Sequence, residues 1–556
     1  MTLNFDAFRL KIILIALAVA LFGDSALQAQ DVWGGATPME DIVGGASSGV
    51  YTSPTVRKRH DRKPEKAAPR KKASAPPKKR VIVRTTPKPK PEAARTATPL
   101  EAAETFTEQG DTLFNAGQYE KAIAAYNQAT HVKPDYAEAY VGLGDAYDAL
   151  NRRDEAIAAY EQAVRLKPEL AEAHYSLGII YYESGKYDQA IASFNQAIKI
   201  RGNDAEVQNY LGLAYQKSNR PAEAVAAFQQ ATQLKPDFAQ AYYNLGDVLD
   251  DMGRSEEAIA AFERAVALKP DYAEAYFDLG VAYYNSHRHV EAINAYQQAT
   301  RIKPDFAEAY SNLGDAYRQL GRNDEAVTAY RQALNFKPDD AETYADLGQT
   351  YNKLTRYQDA IVALNKAVAL NPNNAIAQSE LGYANGKTRK WNDAIKALNE
   401  AVRLAPNNAE PYSNLGWAYN NAAKFAEASE ALKKAIQLNP NFSTAYFNLG
   451  IAQSHLGDKE AALASFQQAL RLRNDWPEAH NNLGYAYGSL NRWKEAVVSH
   501  KEAIRQRPDF AGAYFNLGYD YLQLGKKKEA MEQYKVLQTL DAEKANRLLF
   551  LINQKH

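Results

Sequence analysis

The sequence predicts an all-α solenoid of thirteen helix-turn-helix units, and three observations carry that expectation. A 34-residue period runs from Ala103 to Lys544 with no insertion or deletion, and periods of this size mark stacked helical pairs. Counted from Ala103, Ala137, Ala171 and so on, position 8 is always Gly (Gly110 to Gly518) and position 20 always Ala (Ala122 to Ala530). Position 32 is Pro in ten units, including Pro134, Pro168 and Pro508. Position 7 is Leu except at Gln109, and position 27 is Ala except at Leu537.

Each element of the unit has a local reason. In the unit starting at Ala137, Tyr140, Leu143, Gly144 and Tyr147 follow the i, i+3, i+4, i+7 spacing of one helical face. Asn151 and Arg152 form the turn. Ala156, Tyr160 and Ala163 repeat the helical spacing on the second helix. Lys167-Pro168 ends it, because proline has no amide donor and disfavours helix in the residue before it. Acidic residues such as Asp135 and Glu138 lead into the next helix, where they are expected to cap orphan amides and meet the positive dipole end. Gly144 and Ala156 let the pair cross closely while Tyr147 and Tyr160 fill the space beside the crossing. The last unit loses its Pro and runs into Asn546–Gln554, with Leu548, Leu549, Phe550 and Leu551. That segment (545–556) is expected to be a helix covering the exposed end, since terminal repeats need a cap.

The first hundred residues follow other rules. Arg9 and Lys11 precede an apolar run from Ile12 to Gly23, followed by Ser25-Ala26-Leu27-Gln28-Ala29. This is the layout of a secretory signal peptide over residues 1–29. Its run is short of the ~20 residues that span a membrane. Export to the periplasm or beyond is the expectation, with an uncleaved N-terminal membrane anchor as the alternative. Residues 30–102 read as a linker, Gly-rich at first, then basic and Pro-rich. Residues 57–95 hold 16 Lys or Arg against Asp61, Glu65 and Glu92, a net +13. Such a segment cannot bury a core and is expected to be extended and disordered. The chain is formally neutral and residues 1–56 carry −3, which leaves −10 for residues 96–556. A basic arm therefore precedes acidic repeats. The arm reads as a spacer, as a contact to an anionic envelope polymer or membrane surface, or as a segment docking on the acidic repeats. It has few aromatics to stack on bases, so specific nucleic-acid binding is not expected.

Catalysis finds little support. There is no Cys, no phosphate-binding glycine loop and no cluster of metal ligands, and the nine His are scattered. His287-Arg288-His289 is expected in a turn, and His500, which replaces the aromatic at position 24, in the core. No enzyme, cofactor or metal is expected.

Tyr140, Leu143, Gly144, Tyr147, Ala156, Tyr160, Ala163 and Pro168, repeated through the chain, resemble the tetratricopeptide repeat. The resemblance implies a right-handed superhelix whose concave face is formed by the first helix of each pair, at positions 2, 5, 6, 9, 12 and 13. It also implies a protein or peptide partner held there. Position 6 is Asn at Asn244, Asn312, Asn414, Asn448, Asn482 and Asn516, the last four in consecutive units. An amide both donates and accepts, so such a ladder can grip an extended backbone. It is similar to the ladder in the repeats of the O-linked N-acetylglucosamine transferases, without their catalytic region. Tyr383, Trp417, Phe447, Tyr485, Phe515 and Tyr519 flank it at positions 5 and 9 and are expected to line the groove or to be covered by neighbouring helices. Earlier units carry Asp145, Asp148, Asp247, Asp250, Asp251, Asp278, Asp315 and Asp346, an acidic groove suited to a basic peptide or to a solvated surface role. Position 5 is never Lys and position 9 never Asn, so the chaperone-tail clamp of the family is not expected. The reading is an exported, non-catalytic interaction scaffold. Its alternatives are an envelope protein attached through its basic arm and a substrate-recruiting subunit of an enzyme.

Overall fold

The computed structural model describes residues 98–554; the expected signal segment and most of the linker lie outside them. Among the described residues there are 27 helices and no strand. They fall into two compact units, divided between Arg322 and Asn323. Within each unit a helix packs chiefly on its neighbours in sequence, as in a solenoid of helical pairs. First helices mostly have 13 residues, as in Ala137–Ala149, and second helices 14, as in Arg153–Leu166.

The unit 98–322 begins earlier than the linker reading placed it. Its first helix is Pro99–Asn115. Thr98 and Glu101 make a reciprocal capping box: the Glu101 amide donates to Thr98 Oγ1 (3.3 Å), and the Thr98 amide to Glu101 Oε2 (2.8 Å). The invariant Gly and the position-24 ring then set the crossing of each pair. A Cβ built on Gly144 would lie 2.5 Å from Tyr160 Cε1, and one on Gly178 2.5 Å from Phe194 Cε1. Where Gly202 replaces the closing Pro, the second helix continues to Arg201 and Gly202 takes φ +85°.

The unit 323–554 repeats this packing with Leu364, Leu398, Leu432, Phe466 and His500 in the ring's place. It ends in the helix Ala542–Gln554, longer than the segment expected, with Leu548 and Ile552 fully buried and Leu548 against Gly518.

Three regularities hold in both units. A left-handed residue closes the turn inside each helical pair, and it is often not Gly: Asn151, Asn219, His287, Thr355, Arg389, Ala423 and Asn491. The next residue is usually Arg or Lys and lies over the Tyr at position 11, as Arg152 does over Tyr147 (4.7 Å) and Arg492 over Tyr487 (4.6 Å). Position-2 glutamates pair with the basic residue at position 31: Glu138 with Lys167 and Glu478 with Arg507, each at 2.7 Å.

The capping expectation needs one correction. Asp135 is not a cap; it pairs with Lys133 at 2.7 Å. The side chains that cap first helices stand one residue later, at position 34: Asp204, Asp340, Asn374 and Asn408. Where position 34 is aromatic, no side-chain cap forms and the ring turns inward, as for Tyr272, Phe306 and Trp476.

Candidate functional site

The residues expected to form the Asn-aromatic groove do stand together on first helices, but most are covered. Asn244, Asn312, Asn414, Asn448, Asn482 and Asn516 are all buried, Asn448 with no exposed surface. Two of them bond to an Asn in the preceding repeat: Asn244 Nδ2 donates to Asn209 Oδ1 (2.8 Å) and Asn516 Nδ2 to Asn481 Oδ1 (3.0 Å). In the middle of the ladder the amides are unsatisfied. Asn414 Oδ1, both polar atoms of Asn448, and Asn482 Nδ2 are buried with no hydrogen-bond partner.

The aromatics divide. Phe447, Phe515, Trp417 and Tyr383 are core residues, covered by neighbouring helices rather than lining an open groove. Phe447 lies 4.5 Å from Trp476 and 5.9 Å from Phe466 between ring centroids. Position 5 is thus the meeting point of the position-24 and position-34 rings. Tyr243 and Phe277 make the same triads, with Phe262 and Tyr272 and with Tyr296 and Phe306. Tyr485 and Tyr519 remain partly exposed.

At two junctions position 12 adds to this cover. Asn420 Nδ2 donates to the Asn448 carbonyl (2.9 Å), and Asn352 Nδ2 to the Glu380 carbonyl (3.1 Å) and to Glu380 Oε2 (2.7 Å). These amides draw consecutive first helices together. Ala409–Asn421 against Ser443–Leu456 and Ala341–Lys353 against Ala375–Lys387 are the closest such pairs.

The acidic set is more open. Asp145, Asp148, Asp247, Asp250, Asp278 and Asp346 are partly exposed and Asp251 is exposed, while Asp315 is buried beside Arg318 (3.2 Å). Several are already engaged within the fold. Tyr160 OH donates to Asp145 (2.5 Å), Gln216 Nε2 to Asp247 (3.0 Å) and Tyr243 OH to Asp278 (2.7 Å).

Glu380 and Glu410 had no expected role. They lie close enough to repel. Burial, and then the charge of Glu380, push the Glu410 carboxyl up to about 7. A carboxyl with a native pKa above its unfolded value favours the fold fully below about pH 4.5. That contribution is lost as pH rises towards about 7. Glu410→Gln is therefore expected to match the wild type in thermal unfolding near pH 4 and to exceed it near pH 8, by up to about 3 kcal/mol. Equal stability of the two proteins across that range would refute this assignment. His500 is a core residue, as expected, with Nδ1 2.7 Å from Asp520 Oδ2 and Nε2 3.2 Å from the Asn481 carbonyl. His287 is a left-handed turn residue, with its ring edge-on to His289.

Comparison with known proteins places the repeat. Tetratricopeptide-repeat models match residues 107–168, 143–205 and 211–273, then 486–525 and 511–544. The last span coincides with the unit read from Ala511 to Lys544. A model for the C-terminal domain of cilia and flagella-associated protein 70 matches 271–481. No curated protein sequence matches the chain. Among solved structures, MamA is 34% identical over 30% of this chain and 97% of its own, with a TM-score of 0.29. YrrB, described as a TPR protein with an unusual peptide-binding site, is 25% identical over 33% of this chain and 95% of its own, with a TM-score of 0.31. The APC/C hetero-tetramer Cut9-Hcn1 is 15% identical over 82% of this chain and 98% of its own, with a TM-score of 0.39. The repeat-model matches, which lie on both sides of residue 323, show that this chain carries tetratricopeptide repeats.

Proposed function

We propose that the chain is a non-catalytic scaffold that holds an extended protein segment along the first helices of its C-terminal repeats, with Asn414, Asn448, Asn482 and Asn516 as the backbone-reading ladder. Tetratricopeptide repeats imply a protein-interaction scaffold. The observation that carries the finer reading is the run of buried, unpartnered amide atoms on Asn414, Asn448 and Asn482. An unsatisfied buried polar group costs about 1–3 kcal/mol, so natural folds rarely keep several in a row without a use for them. An extended backbone offers alternating donors and acceptors at the spacing of a strand, and each bond made removes part of that penalty. Because the amides are covered, binding needs consecutive first helices to part, and the satisfied ladder then offsets the lost helix contacts. The export reading belongs with this proposal and rests on Arg9, Lys11 and the apolar run after them.

The test is capture of a pooled library of acetylated, amidated nonapeptides by the full chain. Asn448→Ala combined with Asn482→Ala is expected to reduce capture at least ten-fold, while thermal stability holds or rises because unsatisfied amides are removed. Unchanged capture would sink the ladder, and a collapse of stability would make the amides structural instead.

A further inference from the structure

His500 is 1% exposed and Asp520 3%. His500 stands on the second helix of the twelfth repeat, Trp493–Gln506, and Asp520 on the first helix of the thirteenth, Ala511–Gln523. Their contact therefore joins the last two repeats. Gly484 makes room for the ring, since a Cβ there would lie 2.5 Å from His500 Nε2. Both ring nitrogens are engaged. Nδ1 lies 2.7 Å from Asp520 Oδ2, and Nε2 lies 3.2 Å from the main-chain carbonyl of Asn481, on the helix Pro477–Ser489. One side chain thus bridges three helices. A second bond ties two of them, from Asn516 Nδ2 to Asn481 Oδ1 at 3.0 Å.

These partners decide how many protons the trio needs. A carbonyl can only accept, so Nε2 must carry a hydrogen. Another hydrogen must lie between Nδ1 and Oδ2, because two bare lone pairs at that distance repel. Either an imidazolium faces a carboxylate, or a neutral imidazole accepts from a protonated carboxyl. Both arrangements hold two protons. With one proton fewer, the ring aims a lone pair at an oxygen, and a buried carboxylate is left without a counter-charge. Burial raises the Asp520 carboxyl above its ordinary value, and the charge of His500 opposes that rise. Among the described residues, no other cation lies within ion-pair distance of Asp520. Of the ionisable groups on the packed helices, His480 bonds to the Asn474 carbonyl at 3.0 Å and Tyr485 is raised by burial. Lys501 lies 5.8 Å from the Tyr521 ring, and Arg547 on the final helix lies 5.5 Å from the Phe515 ring. Tyr519 is raised by burial and then by the charge of Asp520.

We infer that His500, Asp520 and the Asn481 carbonyl form a proton-held latch between the last two repeats, closed while it keeps two protons and released when it gives one up. The sign follows from linkage. In an unfolded chain, His is neutral above about pH 6.5 and Asp is ionised above about pH 3.9, so the pair keeps only one proton. Closing the latch therefore takes up a proton above about pH 6.5. Its contribution is complete below that pH and is lost as pH rises, by up to about ten-fold in the local opening constant per pH unit. The latch holds the end of the repeat array. Ala511–Gln523 carries Gly518, against which Leu548 of the covering helix Ala542–Gln554 packs. Release loosens the last repeat and its cover together. The latch is independent of the proposed ladder and acts whether or not a segment is held.

Two readouts on the full chain test it. The first is the nitrogen resonances of the His500 ring, assigned by their loss in a protein with His500→Phe and Asp520→Ala. Nε2 is expected to carry a proton at about pH 7.5. The second is native-state amide exchange across Ala511–Leu540, corrected for the intrinsic rate at each pH. The opening constant should rise at least about three-fold between about pH 6.5 and pH 9. In Asp520→Asn the amide supplies the hydrogen to Nδ1 permanently, so protection should persist and its pH dependence should vanish. The protein with His500→Phe and Asp520→Ala, which restores the ring and small residue of other repeats, should also be flat. Glu410 is intact in both variants, so its own pH dependence does not mimic the difference. The latch is overturned if Nε2 is bare, if the wild type is flat, or if either variant rises as the wild type does.

Discussion

Replacing Trp476 by Ala is expected to cost about 3–5 kcal/mol, the range for truncating a large buried aromatic. Trp476 is only 1% exposed and packs 4.5 Å from Phe447, with Arg473 over its face at 5.0 Å. It makes no side-chain cap to the helix Pro477–Ser489, and its indole N–H has no acceptor, so no hydrogen bond is lost with the ring. Repeats stabilise chiefly their neighbours, so the damage should be local. Native-state amide exchange is the right measurement. Protection across Ser443–Ser489 should fall by roughly two to three orders of magnitude, while that of Ala137–Leu166 stays unchanged. Trp476→Phe, which keeps a ring against Phe447, should recover most of the loss. A fall of less than ten-fold in Trp476→Ala would mean that this junction does not hold the two repeats together.

Trp476 also marks where sequence reasoning stops. The helical pairs were legible because their determinants are local and repeat: the 3.6-residue spacing, the paired Gly and Ala, and the closing Pro. The binding face was legible only as a set of positions. Position 5 was assigned to the groove, but Phe447, Phe277 and Tyr243 are buried with a ring at position 34, and Ala345 and Ser379 are buried with a capping Asn there. Phe447 meets Trp476, Phe277 meets Phe306 and Tyr243 meets Tyr272. Where position 34 is a capping Asn, as at Asn374 and Asn408, position 5 is small: Ala345 and Ser379. The pairing is not general, since Tyr175 goes with the capping Asp204 and Ser413 with Phe442. Position 34 is therefore read from chemistry rather than from the period.

The His500–Asp520 pair teaches the same lesson at longer range. His500 departs from the aromatic rule at position 24. Twenty residues on, Asp520 departs from the small or apolar residues common at position 10. Each departure alone looks like noise. Together they bury a hydrogen-bonded pair, because a ring nitrogen inside a core needs a polar partner.

Gly144 gives the sharpest test of the repeat's own logic. Its Cα faces the ring of Tyr160, and a Cβ would sit 2.5 Å from Cε1 and 2.6 Å from Cδ1. Carbon atoms cannot approach so closely, so Gly144→Ala forces the ring off its rotamer or the helices apart, at about 2–3 kcal/mol. Tyr160 is fully buried and bonds to Asp145, so Tyr160→Ala leaves a cavity and is expected to cost about 3–5 kcal/mol by itself. In the double variant the added methyl enters the space that the ring has left. The combined loss should then fall at least 1 kcal/mol short of the sum of the two, a coupling in the range seen for residues in contact. Tyr160→Phe separates the ring from its hydroxyl: it removes the bond to Asp145 but keeps the obstruction, and so should give Gly144→Ala no relief. Urea unfolding followed through the amides of Ala137–Leu166 measures the wild type and each variant. Strict additivity would show that the invariant glycine is kept for something other than the ring it faces.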